Sequence, residues 1–163
     1  MKKNEARELF LALNKLGDKK GAKFAYGVSR NIGLLKPEME ALDKAIEITP
    51  EFKKCDDERV EIVKKYAKKD DKGEFVMKNP NDYEMADMES FNKEFEIFKK
   101  ENKDVSDART KQIEEYIELL KTPSTVSLHK IALNDIPQDI SVSEMFSIKE
   151  IVDEALPSPY NTK

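Results

Sequence analysis

Apolar side chains recur along the chain at helical spacing, and one stretch outweighs the rest. Phe24, Val28, Ile32, Leu35, Met39, Leu42 and Ile46 follow one another at steps of four, four, three, four, three and four. This is one stripe of a helix, close to a coiled-coil seam. Pro37 lies inside it, and a proline in a helix interior costs about 3 kcal/mol. The apolar phase still continues unshifted from Leu35 to Met39, which predicts a kinked helix over residues 20–48 rather than a break. At 1.5 Å per residue it spans roughly 43 Å.

The other elements follow from shorter patterns. Leu9, Phe10, Leu13 and Leu16 give residues 4–16 an amphipathic helix, with Asn4 as its expected N-cap and Gly17-Asp18 at its end. Thr49-Pro50-Glu51 is a helix start, with a capping hydroxyl, a proline at the first turn and an acid at the positive end of the dipole. The helix it opens runs to about Lys69. Next come Glu74–Lys78 and Tyr83–Met85 around the turn-forming Asn79-Pro80-Asn81-Asp82, which predicts a β-hairpin at about 74–86. Alone it would be marginal, so it has to lean on another element.

Asp87 is placed to cap a third helix carrying Met88, Phe91, Phe95 and Phe98. These phenylalanines either pack back on the preceding helices or form an outward ridge. Lys99 to Asp107 is a polar interval that continues the helix in solvent or breaks it. Ile113, Tyr116, Ile117 and Leu120 then resume a helical face ahead of Pro123. Val126, Leu128, Ile131 and Leu133 suggest a strand or extended segment, and 134–139 a loop. Ser141 and Glu144 have capping-box spacing for a last helix through Val142, Met145, Ile148, Ile151, Val152 and Leu156.

Together these patterns predict a mainly α protein, one domain over residues 1–163. A long antiparallel helical hairpin, formed by the seam and the helix after Thr49, carries the small β-hairpin. A third packed helix completes a body over 1–122, and 123–163 form a strand-helix C-terminal extension. Long, narrow helices bury little alone, so a homo-oligomer is expected.

Composition sharpens this picture. Charged residues make up 38% of the chain, there are five glycines and no tryptophan. An average soluble protein is about 25% charged, so this is the make-up of solvated helices. No apolar run approaches the roughly 18 residues that span a bilayer. The basic start Met-Lys-Lys-Asn-Glu lacks the apolar stretch of a signal peptide. The single cysteine, Cys55, has no intramolecular partner, which points to a reducing cytoplasm. The net charge of −4 hides an imbalance, because residues 1–36 carry nine Lys/Arg against three Asp/Glu. Such a segment attracts an anion, a nucleic acid or the protein's own acidic part.

Within that segment Lys19, Lys23, Tyr26 and Arg30 fall at four, three and four. One face of charge with a stacking ring is the pattern of an anion- or partner-binding strip. The competing reading is a solvated face whose cations answer acids elsewhere in the chain. Overall acidity argues against broad nucleic-acid affinity, which needs several phosphate contacts. Gly21, Gly27 and Gly33 lack the strand–turn–helix context of a phosphate loop and read as close packing or local helix weakness. His129 is the only histidine, and neither it nor Cys55 has the companions a zinc site needs. Cys55 reads as a small buried hydrophobe and Asp70-Asp71-Lys72-Gly73 as a turn, its acids being out of order for a calcium loop. No paired acid and base or activated nucleophile is apparent, so the expectation is a protein that is not an enzyme and takes no cofactor or metal.

The layout resembles a loose family of small tailed-bacteriophage proteins of unknown function. The matching features include the helix start Lys23-Phe24-Ala25-Tyr26-Gly27-Val28-Ser29-Arg30-Asn31 and the helix end Tyr66-Ala67-Lys68-Lys69-Asp70. They also include the Asp71-Lys72-Gly73 turn, the Phe91-Asn92-Lys93-Glu94 helix and the closing Leu128-His129-Lys130-Ile131-Ala132-Leu133-Asn134-Asp135-Ile136-Pro137. The likeness covers most of residues 20–155. It implies a viral protein in the host cytoplasm or the virion and supplies no catalytic residues. The expected function is a non-enzymatic interaction protein acting through helical surfaces on itself and on a phage or host protein. The alternative is an anti-defence sponge that sequesters an anionic nucleotide at an oligomer interface.

Overall fold

A computed structural model of the chain describes residues 1–80 and 82–154. The protein is mainly helical, with a small antiparallel β-hairpin and a C-terminal strand-helix region, as the hydrophobic pattern requires. The helices are α1 (Lys3–Asn14), α2 (Ala22–Ala45), α3 (Pro50–Tyr66), α4 (Met88–Glu101), α5 (Lys103–Lys121) and α6 (Val142–Ser147). The hairpin pairs β1 (Met77–Asn79) with β2 (Asp82–Tyr83), and β3 (Ile131–Ala132) pairs in parallel with β4 (Val152–Asp153). The chain divides into two compact units, one joining Met1–Ala45 to the chain from Glu115 onward, the other being Ile46–Glu114.

In the first unit α1 packs on α2, and α6 packs on α1. The seam of α2 is the centre of the core. Phe24, Leu35, Met39 and Leu42 are buried, and Ile32 is partly buried against them. Leu9 and Leu13 of α1 and Ile131, Ile148 and Ile151 of the C-terminal segment complete that core. The helix runs unbroken through Pro37. Its apolar face is buried on both sides of the proline, which compensates the missing backbone hydrogen bond.

Two positions on α2 decide how the C-terminal segment lies on it. Asn31 is fully buried. Its side-chain amide donates to the carbonyls of Gly27 (3.0 Å) and His129 (2.8 Å), and its oxygen accepts from the His129 N–H (2.8 Å). The side chain thus satisfies both backbone groups of a peptide that has no strand beside it there. One turn earlier, a Cβ on Gly27 would lie 2.6 Å from Cδ1 and Cγ1 of Ile131. Only glycine allows that side chain so close to the helix backbone.

Several local expectations differ from the structure. Asn4 lies inside α1, whose start is fixed instead by Glu5 accepting from the Lys2 N–H at 2.7 Å. The helix expected to reach Lys69 stops at Tyr66, because the following backbone is taken up by the ribbon. The last helix ends at Ser147, where Ile148 and Ile151 turn into the core and the chain continues as β4. Leu156, assigned to that helix, lies outside the described residues. The polar interval after Lys99 continues as helix with one interruption at Asn102. The capping expected of Thr49, Asp87 and the Ser141–Glu144 box is present.

In the second unit α4 lies antiparallel on α3, with the ribbon between them in the chain. Lys68 N–H donates to the Glu84 carbonyl, Glu84 N–H to Val76, and Val76 N–H back to Lys68. Three segments therefore bond in a ring, and none offers a free edge at that level. This ring is what the marginal hairpin leans on. Phe75 adds an edge contact to Tyr83, with centroids 5.3 Å apart.

The contrast between two glycines of α2 is testable. Gly33 has open space around its Cβ position. Gly33→Ala should therefore raise the urea midpoint, by about 0.5–1 kcal/mol of helix propensity. Gly27→Ala gains the same propensity but overpacks Ile131 by about 1–3 kcal/mol, and should lower the midpoint. Asn31→Leu should cost about 2–4 kcal/mol, because the His129 N–H and carbonyl lose their partner.

Candidate functional site

The strip singled out on charge is split by the fold. Lys19 stands ahead of α2 with its side chain 13% exposed. Its Nζ donates to the Asp139 carbonyl at 3.0 Å and pairs with the carboxylates of Glu144 at 3.2 Å and Asp139 at 3.7 Å. Burial works against its charge, but the hydrogen bond to Glu144 and the carboxylates of Asp139 and Glu144 outweigh that and raise its pKa above 10.5. Glu144 is held below the ordinary carboxyl range, first by the Ser141 backbone N–H and hydroxyl and then by Lys19. Lys23 reaches Asp135 at 3.2 Å from an exposed position. These lysines answer acids of the 135–144 segment and tie it to the start of α2.

Tyr26 and Arg30 stay together at the surface. Arg30 Nη1 donates to the Tyr26 hydroxyl at 3.2 Å, and the exposed Tyr26 ring meets His129 edge-on at 5.8 Å. His129 is thereby accounted for structurally, since its backbone is held by Asn31 and its ring by Tyr26. The strip is two lysines tied to acids of the same unit and one exposed aromatic–cation pair rather than three cations and a tyrosine on one open face.

The second unit presents a different surface. Among the described residues its buried apolar side chains are Cys55, Ala67 and Phe98. Phe91, Phe95 and Phe98 stack on one another at 5.0 and 5.8 Å, and Tyr66 of α3 meets Phe91 edge-on at 6.1 Å. Phe91 and Phe95 are only half-buried, so the phenylalanine stripe lies partly open beside α3. Two clefts flank it. One, of about 430 Å³, has Phe52, Cys55, Phe95 and Phe98 in its wall; the other, of about 520 Å³, has Val60, Val63, Met85 and Met88. Cys55 is buried. Burial pushes its thiol pKa up and Glu58 and Asp56 add to that, which leaves it protonated and poorly nucleophilic.

A polar clamp that periodicity alone does not show joins the two helices. Glu94 of α4 accepts from both Lys65 Nζ and the Tyr66 hydroxyl of α3. These hydrogen bonds, Lys65 first, hold the Glu94 carboxyl below 4.5, and the bond to Glu94 raises the pKa of Tyr66. The signal available beforehand was the adjacency of Lys65-Tyr66 at a helix end, which gains meaning only once α4 is known to run back along α3.

Among the described residues, no helix is long and apolar enough to cross a membrane, and no group of three or more His, Cys, Asp or Glu side chains is placed to hold a metal ion. Comparison with protein-family models, curated proteins and solved structures finds no match.

The clamp has a pH signature. A carboxyl whose pKa is depressed on folding stabilises the folded state above its unfolded value, here 4.5, and loses that contribution as pH falls through its folded value. Glu94→Gln should therefore lower the thermal midpoint at pH 7. Its difference from wild type should shrink as pH drops below 4.5 and disappear once Glu94 is protonated. A difference that stays constant down to pH 3 in thermal scans would remove the clamp from the stability argument.

Proposed function

We propose that the protein is a non-enzymatic interaction protein that works by presenting the helical surfaces of its second unit to a partner, a further copy of itself included. One observation carries this reading: the second unit leaves most of its apolar stripe half-covered. Beyond its few buried residues it exposes Met77, Met88, Ile97 and Ile113. Met88 lines the same cleft as the half-buried Phe91, with Lys78 and Glu84 beside them, and apolar surface bordered by charge is the anatomy of an association site.

Phage origin is part of the proposal and rests on the resemblance of the motifs between Lys23 and Pro137. With it comes a role either in virion assembly or in binding a host protein. The nucleotide-sponge alternative loses support from the engagement of Lys19 and Lys23 with acids of the same unit, which leaves Arg30 as the cation of the strip that no carboxylate answers among the described residues.

Size-exclusion chromatography with light scattering tests the reading on the intact chain. The expected mass exceeds that of a monomer. Met77→Glu with Met88→Glu, both at exposed positions, should return it to a monomer without lowering the thermal midpoint. A wild-type chain that stays monomeric to high concentration and cross-links to no phage or host protein would overturn it.

A further inference from the structure

We propose that the groove between α3 and α4 is a docking site for a basic amphipathic helix of a partner protein. The inference rests on the preceding reading of the second unit and adds the chemistry of the occupant. The groove holds about 580 Å³, with Ile62 and Phe98 among the apolar side chains that line it. Its α3 side carries Asp57, Glu58 and Glu61, and its α4 side Glu94 and Glu101. Against these five carboxylates stands one ammonium, Lys54. Ile97, exposed at 56%, lies three residues after Glu94 and four before Glu101, so it extends the apolar strip at that rim.

The shape and the charge select the occupant. Lys54 to Ile62 and Glu94 to Glu101 each cover about two helical turns, roughly 12 Å of straight wall. Apolar floor between two charged rails is the arrangement that receives a helix by its apolar face, with anchors at three- and four-residue spacing. Acidic rails repel nucleic acid and anionic lipid and favour Lys and Arg flanking those anchors.

Glu94 is held by Lys65 and the Tyr66 hydroxyl, and the other four carboxylates are available. Asp57 and Glu101 make no ion pair among the described residues. Glu58 pairs with Lys54 at 3.8 Å and Glu61 with Lys64 at 3.4 Å, both within α3 and exposed. Such local surface pairs are worth about 0–1 kcal/mol and exchange readily for a partner's cation. The chain's own basic segment is a poor candidate for the occupant, because the apolar faces of α1 and α2 are already buried in the core of the first unit and Lys19 and Lys23 are turned to Asp135, Asp139 and Glu144. The partner is therefore a different protein.

The test uses the full chain and a fluorescent synthetic helix of about four turns, with Leu on one face and Lys on the rest. Anisotropy should show binding that weakens as salt rises. A Leu–Glu helix should not bind, and an oligolysine without leucine should bind far more weakly. Glu61→Lys with Glu101→Lys should weaken the Leu–Lys helix at least about tenfold. The milder Asp57→Asn with Glu101→Gln should weaken it less. Asp70→Lys with Asp71→Lys makes the same charge change in the turn before the ribbon and should leave binding unaltered. The proposal is overturned if the turn variant weakens binding as much as the groove variant, or if oligolysine binds as tightly. Such a failure with self-association intact removes the groove's occupant alone; a protein that also stays monomeric and partnerless removes the reading beneath it.

Discussion

The amide of Asn31 is the constraint on which the first unit depends. It is a polar side chain with no exposure in the middle of an apolar stripe, and burying it unpaired would cost several kcal/mol. It is satisfied only if one particular peptide, that of His129, presents both its N–H and its carbonyl. Hydrophobic contact alone would tolerate a shift of the C-terminal segment along the helix, because leucine-like surfaces are interchangeable. A three-bond amide does not, so it fixes register as well as contributing energy. Gly27 acts with it, by opening the spot one turn away that Ile131 fills. With Ile131 in place, β4 can pair beside β3, and Ile148 and Ile151 fall into the core.

What the sequence discloses follows from this. The apolar stripes, the caps at Thr49, Asp87 and Ser141 and the turn at Asp70–Gly73 are all local, and local chemistry determines them. The caps work through one side chain and a backbone N–H three residues on, so no distant partner is needed. Continuity of α2 through Pro37 was legible for the same reason: the stripe keeps its phase across the proline. The addresses of the stripes are not local. Periodicity shows that α2 and α3 each bury a face, yet it cannot say that α2 finds α1 or that α3 finds α4 within their units. The C-terminal helix fails in the same way. Val142 to Leu156 keep a helical period, but the core needs Ile148 and Ile151 at positions that a continued helix would rotate elsewhere.

Candidate chemistry was less legible than fold. The basic strip was visible as residues, and so was the possibility that acids of the same chain would answer it. Which acids do so was hidden, because they lie more than a hundred residues away at Asp135, Asp139 and Glu144. Asn31 could have been noticed. It sits three residues after Val28 and four before Leu35, on the seam, and a lone amide on a buried stripe calls for a partner. The Glu94 clamp had no comparable mark, being one glutamate among many.

The two units differ in how much core they build. The first builds the larger buried core and ties Lys19 and Lys23 to its own carboxylates, while Val142 and Phe146 stay exposed. The second keeps a modest core, closes its backbone in a hydrogen-bonded ring at the ribbon and leaves aromatic and aliphatic side chains half-covered between charged rims. Rigidity of the ring and clamp matters here. A surface that reorders on binding gives up part of its contact energy to that ordering, whereas one already held by Glu94 between Lys65 and Tyr66 gives up less. Incomplete burial combined with a stiff frame is hard to explain as a stability strategy, since the same residues turned inward would stabilise the unit further. It is readily explained if the missing contacts are supplied by another molecule.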